Sequence, residues 1–155
     1  MLEVFVDADA CPVKDEVYRV AKRHGLTVHV VANSWMRVPV DPDVRAVVVK
    51  GDFDAADDWI VEHVGPDDIV ISTDIPLASR CLPKGALVLR PNGRPFTEDN
   101  IGDALASREL LSQLRDLGEV SGGPAPFGPK DRSVFLQRLE ETVQAIRRKA
   151  KPGSG

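Results

Sequence analysis

Apolar runs alternate along this chain with segments in which apolar residues recur every three or four positions. The runs are short and rich in valine, isoleucine and leucine, which predicts buried β-strands at 2–6, 27–32, 44–49, 68–72 and 86–89. The periodic segments predict helices at 12–24, 55–64, 76–81, 97–117 and 133–149. Nearly all-apolar strands that alternate with helices are typical of a parallel sheet with helices on both faces. We therefore predict an α/β fold with a central, mostly parallel sheet and a C-terminal helix.

Length and composition fit one domain. A chain of 155 residues that is 43% hydrophobic is long enough to bury a core of its own. We assign residues 1–150 to a single domain and residues 151–155 to a disordered tail. No apolar run approaches the roughly 20 residues of a membrane helix, so we expect a cytoplasmic protein without membrane contact. The two cysteines and three histidines show neither a disulfide framework nor the spacing of a zinc site, and the oligomeric state stays open.

Acidic residues follow the predicted strands at the point where each strand ends. Asp7 and Asp9 follow the first strand, Asp54 the third and Asp74 the fourth, while Asp57 falls in the first turn of a helix. Ligands of open parallel sheets bind outside the carboxyl ends of the strands. Converging carboxylates repel one another unless a cation lies between them, and ligands that are all oxygen favour Mg²⁺ or Mn²⁺. Taken singly, each acid also suits a helix cap or a turn, but together they predict a metal site.

Four further polar residues belong to the same predicted edge. Asn33 and Ser34 end the second strand, where they are placed to orient a substrate or simply to form a turn. Lys14 and Arg80 follow Asp7 and Asp74 by one or two helical turns, so they are candidate phosphate contacts as well as ordinary surface charges. The net charge of −4 does not favour a broad nucleic-acid footprint, so contact with such a substrate would be local.

Three chemistries use such an edge. A metal-dependent phosphodiesterase needs several carboxylates from different strand ends. A haloacid-dehalogenase-like phosphatase would use Asp7 and Asp9 as nucleophile and acid, but Cys11 occupies a position where that class usually has threonine or valine. A phospho-receiver domain would need a lysine after the fifth strand, where this chain has Arg90.

Several motifs resemble those of the YaiI/YqxD family of uncharacterised bacterial proteins. The most specific are Asp-Ala-Asp-Ala-Cys-Pro-Val-Lys at 7–14 and Thr-Asp-Ile-Pro-Leu-Ala at 73–78, and the resemblance continues through Gly-Gly-Pro at 122–124 and Asp-Arg at 131–132. It covers about residues 2–146 and implies a PIN-like three-layer domain, related to metal-dependent nucleases.

The resemblance also implies a set of site residues. Three acids of PIN-type nucleases match Asp7, Asp57 and Asp74, which would be the catalytic metal ligands; for the fourth acid, Asp54 and Asp99 are the alternatives. The leading hypothesis is a Mg²⁺- or Mn²⁺-dependent nuclease acting on RNA or another nucleic acid. A catalytically inactive module that binds nucleic acid or a partner is the alternative, since the acid set is incomplete, and the phosphatase is the third.

Overall fold

The structure is a computed structural model that describes residues 2–8, 11–51, 55–102 and 128–150. Its strands are β1 (Val4–Asp7), β2 (Val28–Ala32), β3 (Val44–Val48), β4 (Ile69–Ile71), β5 (Leu87–Leu89) and β6 (Pro95–Phe96). Its helices are α1 (Lys14–His24), α2 (Ala55–His63), α3 (Ile75–Cys81) with a 3-10 turn after it (Leu82–Lys84), α4, which begins at residue 98 and is described as far as residue 102, and α5 (Pro129–Ala150). Within these ranges no helix is long and apolar enough to cross a membrane.

The strands form one sheet in the order β3-β2-β1-β4-β5-β6, in which only the last pairing, β5 with β6, is antiparallel. From β1 the chain adds β2 and β3 on one side, then returns to add β4 and β5 on the other. The direction of strand addition therefore reverses between β1 and β4. In open α/β sheets the crevice at such a reversal is where ligands bind, outside the carboxyl ends of the strands. We call the edge where β1 to β5 end the carboxyl edge.

Two apolar cores lie on opposite faces of the sheet, which gives the predicted three layers. Val4 and Val6 of β1 face the core that α1 and α5 cover, and Phe5 between them faces the core that α2 and α3 cover. This alternation is the two-residue period of a strand that is buried on both faces. The α/β architecture with a mostly parallel sheet and a C-terminal helix is confirmed.

Three details differ from the sequence predictions. Strand β6 was not predicted, because a two-residue strand containing Pro95 has no alternating pattern; at the end of the sheet its proline costs no central ladder hydrogen bond. Strand β3 is more exposed than its apolar sequence suggests, since it forms the other end of the sheet. Helix α5 begins four residues early, at Pro129, where proline suits a first turn. Most of the helix predicted at 97–117 and the tail at 151–155 lie outside the described residues.

Helix α5 returns the C-terminal part of the chain to the first helix. Its residues Phe135, Leu139, Val143 and Ile146 recur at helical spacing and are all buried in the core that they share with α1. At the helix surface, Glu140 pairs with both Arg23 and His24 at the end of α1. The apolar stripe predicted for this helix therefore packs against the domain.

We predict that Phe135→Ala destabilises the fold by about 3–5 kcal/mol, because it removes a fully buried ring and leaves a cavity. Urea unfolding followed by circular dichroism measures this. The control is Val134→Ala on the same turn, where the side chain is 40% exposed and the expected change is within about 0.5 kcal/mol. Equal effects of the two substitutions would show that α5 does not depend on its apolar stripe.

Glu140 should make the stability of the fold depend on pH in the acid range. Partial burial opposes ionisation of Glu140, but hydrogen bonds from His24, Arg23 and Gln144 outweigh it and lower the pKa of Glu140 from its ordinary value of 4.5. A carboxyl group whose pKa is lower in the folded state adds stability above its unfolded pKa and loses that contribution as pH falls through the folded pKa. We expect wild type to lose more unfolding free energy below about pH 4.5 than Glu140→Gln does. The control is the neighbouring Glu141→Gln, which removes an exposed pair with Arg138 and should change the unfolding free energy by no more than about 1 kcal/mol.

Candidate functional site

Asp7 is a buried carboxylate at the carboxyl end of the central strand. It is the last residue of β1 and only 7% exposed. Its Oδ2 accepts a hydrogen bond of 2.8 Å from the hydroxyl of Ser72, which directly follows β4. The two residues project to the same face of the sheet, because each lies two positions beyond a residue, Phe5 or Val70, that faces the core of α2 and α3. This hydrogen bond therefore spans the reversal between β1 and β4.

The same hydroxyl also holds Asp74. The backbone N–H of Asp74 donates to Ser72 Oγ at 2.9 Å, and Asp74 Oδ1 accepts from the backbone N–H of Leu77 at 2.9 Å. Asp74 is thus the N-cap of α3, and Pro76 stands in the first turn of that helix. Ser72 is 1% exposed and is both a donor and an acceptor. One buried side chain therefore fixes two of the predicted site acids relative to each other.

Of the other three predicted acids, the structure describes Asp57 alone. Asp57 lies in the first turn of α2, half-buried, and its charge is near enough to Cys81 on α3 to act on the pKa of that thiol. Asp9 and Asp54 lie outside the described residues. Within the described ranges, no three histidine, cysteine, aspartate or glutamate side chains are grouped so that they could hold a metal ion. The five-acid metal site therefore stays a prediction; among the described residues, Ser72 contacts both Asp7 and Asp74.

Asn33 and Ser34 lie on the carboxyl edge, as predicted. Asp7 pairs in register with Val31 of β2, so Asn33 follows two residues beyond that pairing. Both side chains are exposed. They are therefore accessible to a ligand that contacts Asp7 from solvent.

The two predicted cations have partners within the protein. Lys14 Nζ donates to the carbonyl of Cys11 at 2.9 Å, and Arg80 Nη1 pairs with Asp58 Oδ1 at 2.9 Å on the surface. The Arg80 pair is exposed, and such pairs contribute only about 0–1 kcal/mol. Arg80 can therefore leave Asp58 for a phosphate at small cost, whereas Lys14 helps to hold the loop that follows β1.

Arg132 is a second residue that holds this loop, and it comes from α5. Its Nη1 donates to the carbonyl of Pro12 at 2.6 Å and lies 3.5 Å from Glu16 Oε1. No spacing in the sequence places residue 132 beside residue 12. Ser72 was also missed, but the sequence holds a signal for it: Ser72 and Asp7 are the polar ends of neighbouring apolar strands, on the same face. The loop after β1 is therefore held by its own helix and by the C-terminal helix.

Cys11 is a free cysteine with a buried side chain. Burial raises the pKa of its thiol to about 11, although the backbone N–H of Val13 and the charge of Lys14 act in the opposite direction. A thiol with that pKa is protonated at neutral pH, and the thiolate is the reactive form. Cys11 is therefore a buried, protonated thiol at this edge.

Sequence comparisons give the family. Residues 5–145 match the uncharacterised YaiI/YqxD family. A UPF0178 protein of Rhodospirillum rubrum is 60% identical over 95% of this chain and 99% of its own length. Those of Parvibaculum lavamentivorans (59% identical, 98% of this chain, 100% of its own length) and of a Bradyrhizobium species (58% identical, 95% and 90%) are similarly close. No solved structure matches this chain significantly. The chain therefore belongs to the YaiI/YqxD family of uncharacterised bacterial proteins.

Proposed function

We propose that the protein is a Mg²⁺- or Mn²⁺-dependent phosphodiesterase that acts on RNA or another nucleic acid at the carboxyl edge. The observation that supports this most is the buried Asp7 carboxylate at the reversal of the sheet, held by Ser72 beside Asp74. Ligands of open α/β sheets bind at that place. The PIN-like resemblance of the sequence points to the same acids.

Asp7 and Asp74 both take part in hydrogen bonds at this edge. Ser72 donates to Asp7, and a backbone N–H donates to Asp74, so both acids act as acceptors. Because Ser72 contacts both residues, a divalent metal bound at this edge would offset the charge of their side chains.

The carboxylate oxygens of these residues are the donor type that Mg²⁺ and Mn²⁺ prefer. Asp7 and Asp74 would bind the metal, with Asp57, Asp9 and Asp54 as the further predicted ligands. When bound, the ion would lower the pKa of a coordinated water and offset the charge of a phosphate. Ser72 would keep the Asp7 carboxylate oriented. Asn33 and Ser34 would hydrogen-bond a phosphodiester, and Lys14 and Arg80 would offset its charge.

The first test measures the melting temperature with and without Mn²⁺. Millimolar Mn²⁺ should raise the melting temperature of wild type, because a ligand that binds only the folded state stabilises it by about 2.7 kcal/mol at 100 times its Kd. Asp74→Asn should show almost no increase, since it loses a ligand charge. Asparagine is also an efficient N-cap, so the variant without metal should melt at or above the wild-type temperature. If Mn²⁺ shifts both proteins equally or neither, the metal site is wrong.

The second test measures hydrolysis of labelled single-stranded RNA and DNA in Mn²⁺. Asp7→Asn should lower the rate by more than about 100-fold, and Ser72→Ala by about 10- to 100-fold, the usual effect of losing a group that orients a metal ligand. Controls are Asp43→Asn, an exposed acid that precedes β3 at the opposite edge, and Ser79→Ala, whose hydroxyl donates to Pro76 within α3. If metal binds but the oligonucleotides stay intact over hours, the protein is a binding module and not a nuclease.

A further inference from the structure

The segment between β2 and β3 presents an exposed tryptophan. Trp35 is 77% exposed, and Arg37, two positions later, is exposed as well. The alternate residues Met36 and Val38 are half-buried and pack against the core of α1 and α5. Residues 35–38 are therefore anchored to the domain on one side and present an indole and a guanidinium group on the other. We call residues 35–38 the tryptophan segment.

This segment begins at the carboxyl edge. Asp7 pairs with Val31, and Trp35 follows Val31 by four residues, so the chain between them spans at most about 14 Å. Asn33 and Ser34 lie between the strand and the indole. An elongated ligand that contacts Asp7 can therefore reach Trp35 by passing these two polar residues.

The second tryptophan, Trp59, differs from Trp35 because it packs against other rings of the protein. Trp59 on α2 is half-buried, stacks on His63 with ring centroids 3.8 Å apart, and lies 6.0 Å from Phe5 and 5.8 Å from His29. Among the described residues, Trp35 has no comparable ring contact. Its exposed indole contributes little to the core, so its contact surface is available to a ligand.

The surrounding charge favours an anionic ligand. Arg37 is exposed two positions after Trp35. The exposed Lys50 follows β3 at the carboxyl edge, where the N–H of Val49 donates to the carbonyl of Ala32. An aromatic surface beside cationic side chains is how proteins bind single-stranded nucleic acid, by stacking on bases and contacting phosphates. Bases in a duplex are already stacked and do not offer this surface.

We propose that Trp35 and Arg37 form a base-stacking surface that binds single-stranded nucleic acid and leads it to the carboxyl edge. This inference rests on the proposed function and specifies its substrate class. Trp35 stacks on an unpaired base, and Arg37 contacts the adjacent phosphate. The surface is small, as expected for a protein with a net charge of −4, whose contact with nucleic acid has to be local.

The test is binding of a fluorescently labelled single-stranded 12-mer, measured by anisotropy in EDTA so that no metal-dependent hydrolysis occurs. Trp35→Ala should raise the Kd about 5- to 150-fold, the range for loss of one base stack, and Trp35→Phe should raise it less. Val40→Ala is the matched control, since this fully exposed apolar side chain lies in the same connection but has no ring. It should leave the Kd unchanged. In Trp59→Phe, where Trp35 is the remaining tryptophan, the oligonucleotide should quench the indole fluorescence.

Several results would overturn the inference: no binding by wild type, equal affinity of wild type and Trp35→Ala, or a duplex of the same sequence bound as tightly and weakened equally by Trp35→Ala. A smaller particle for Trp35→Ala than for wild type in size-exclusion chromatography would instead assign the indole to self-association.

Failure of the proposed function can be distinguished from failure of this surface. If wild type hydrolyses single strands and Trp35→Ala has the same Kd and KM, the nuclease stands without this surface. If Trp35 is needed for binding but no metal supports hydrolysis, the surface stands without the nuclease.

Discussion

The hydroxyl of Ser72 connects the parts of this molecule on which any chemistry at the carboxyl edge would depend. It donates to the Asp7 carboxylate at the end of β1 and accepts from the backbone of Asp74 at the start of α3. These two strand ends meet where the direction of strand addition reverses. Because Ser72 is buried, water cannot easily replace either hydrogen bond. The relative position of the two acids is therefore built into the sheet.

A buried carboxylate needs a hydrogen-bond donor, and Ser72 supplies one to Asp7. Asp7 lies at the end of an apolar strand, with Ser72 as a donor, and the loop that leads into α1 follows it. That loop is held in turn by Lys14 from α1 and by Arg132 from α5. A residue near the C-terminus thus shapes the surroundings of a residue near the N-terminus. The layer formed by α1 and α5 stabilises the fold and also keeps this loop in place.

The sequence predicted most of the architecture because burial on both faces leaves a strong pattern. The apolar runs at β1, β2, β4 and β5 are typical of strands inside a sheet, and these four strands do lie inside it. Short elements such as β6 were not predictable, since two residues carry no period. The exposure of β3 was not predictable either. How far its valines are buried depends on the position of the strand in the sheet, which the local sequence pattern does not show. At the site, Asp7 and Asp74 could be found from their places after strands. Ser72 required the relative register of β1 and β4, and Arg132 required the packing of α5.

The pairing of the first helix with the last has a consequence for synthesis on the ribosome. Arg23 of α1 meets Glu140 of α5, 117 residues later in the chain. At about 5–20 residues per second, roughly 6–23 seconds pass between the synthesis of Arg23 and that of Glu140 on the helix that completes this core. Until then, the apolar side of α1 that includes Val17 and Val20 has no α5 against which to pack. The nascent chain therefore passes through a stage with an open hydrophobic face, which is the kind of surface that chaperones bind and that aggregates when chains are crowded.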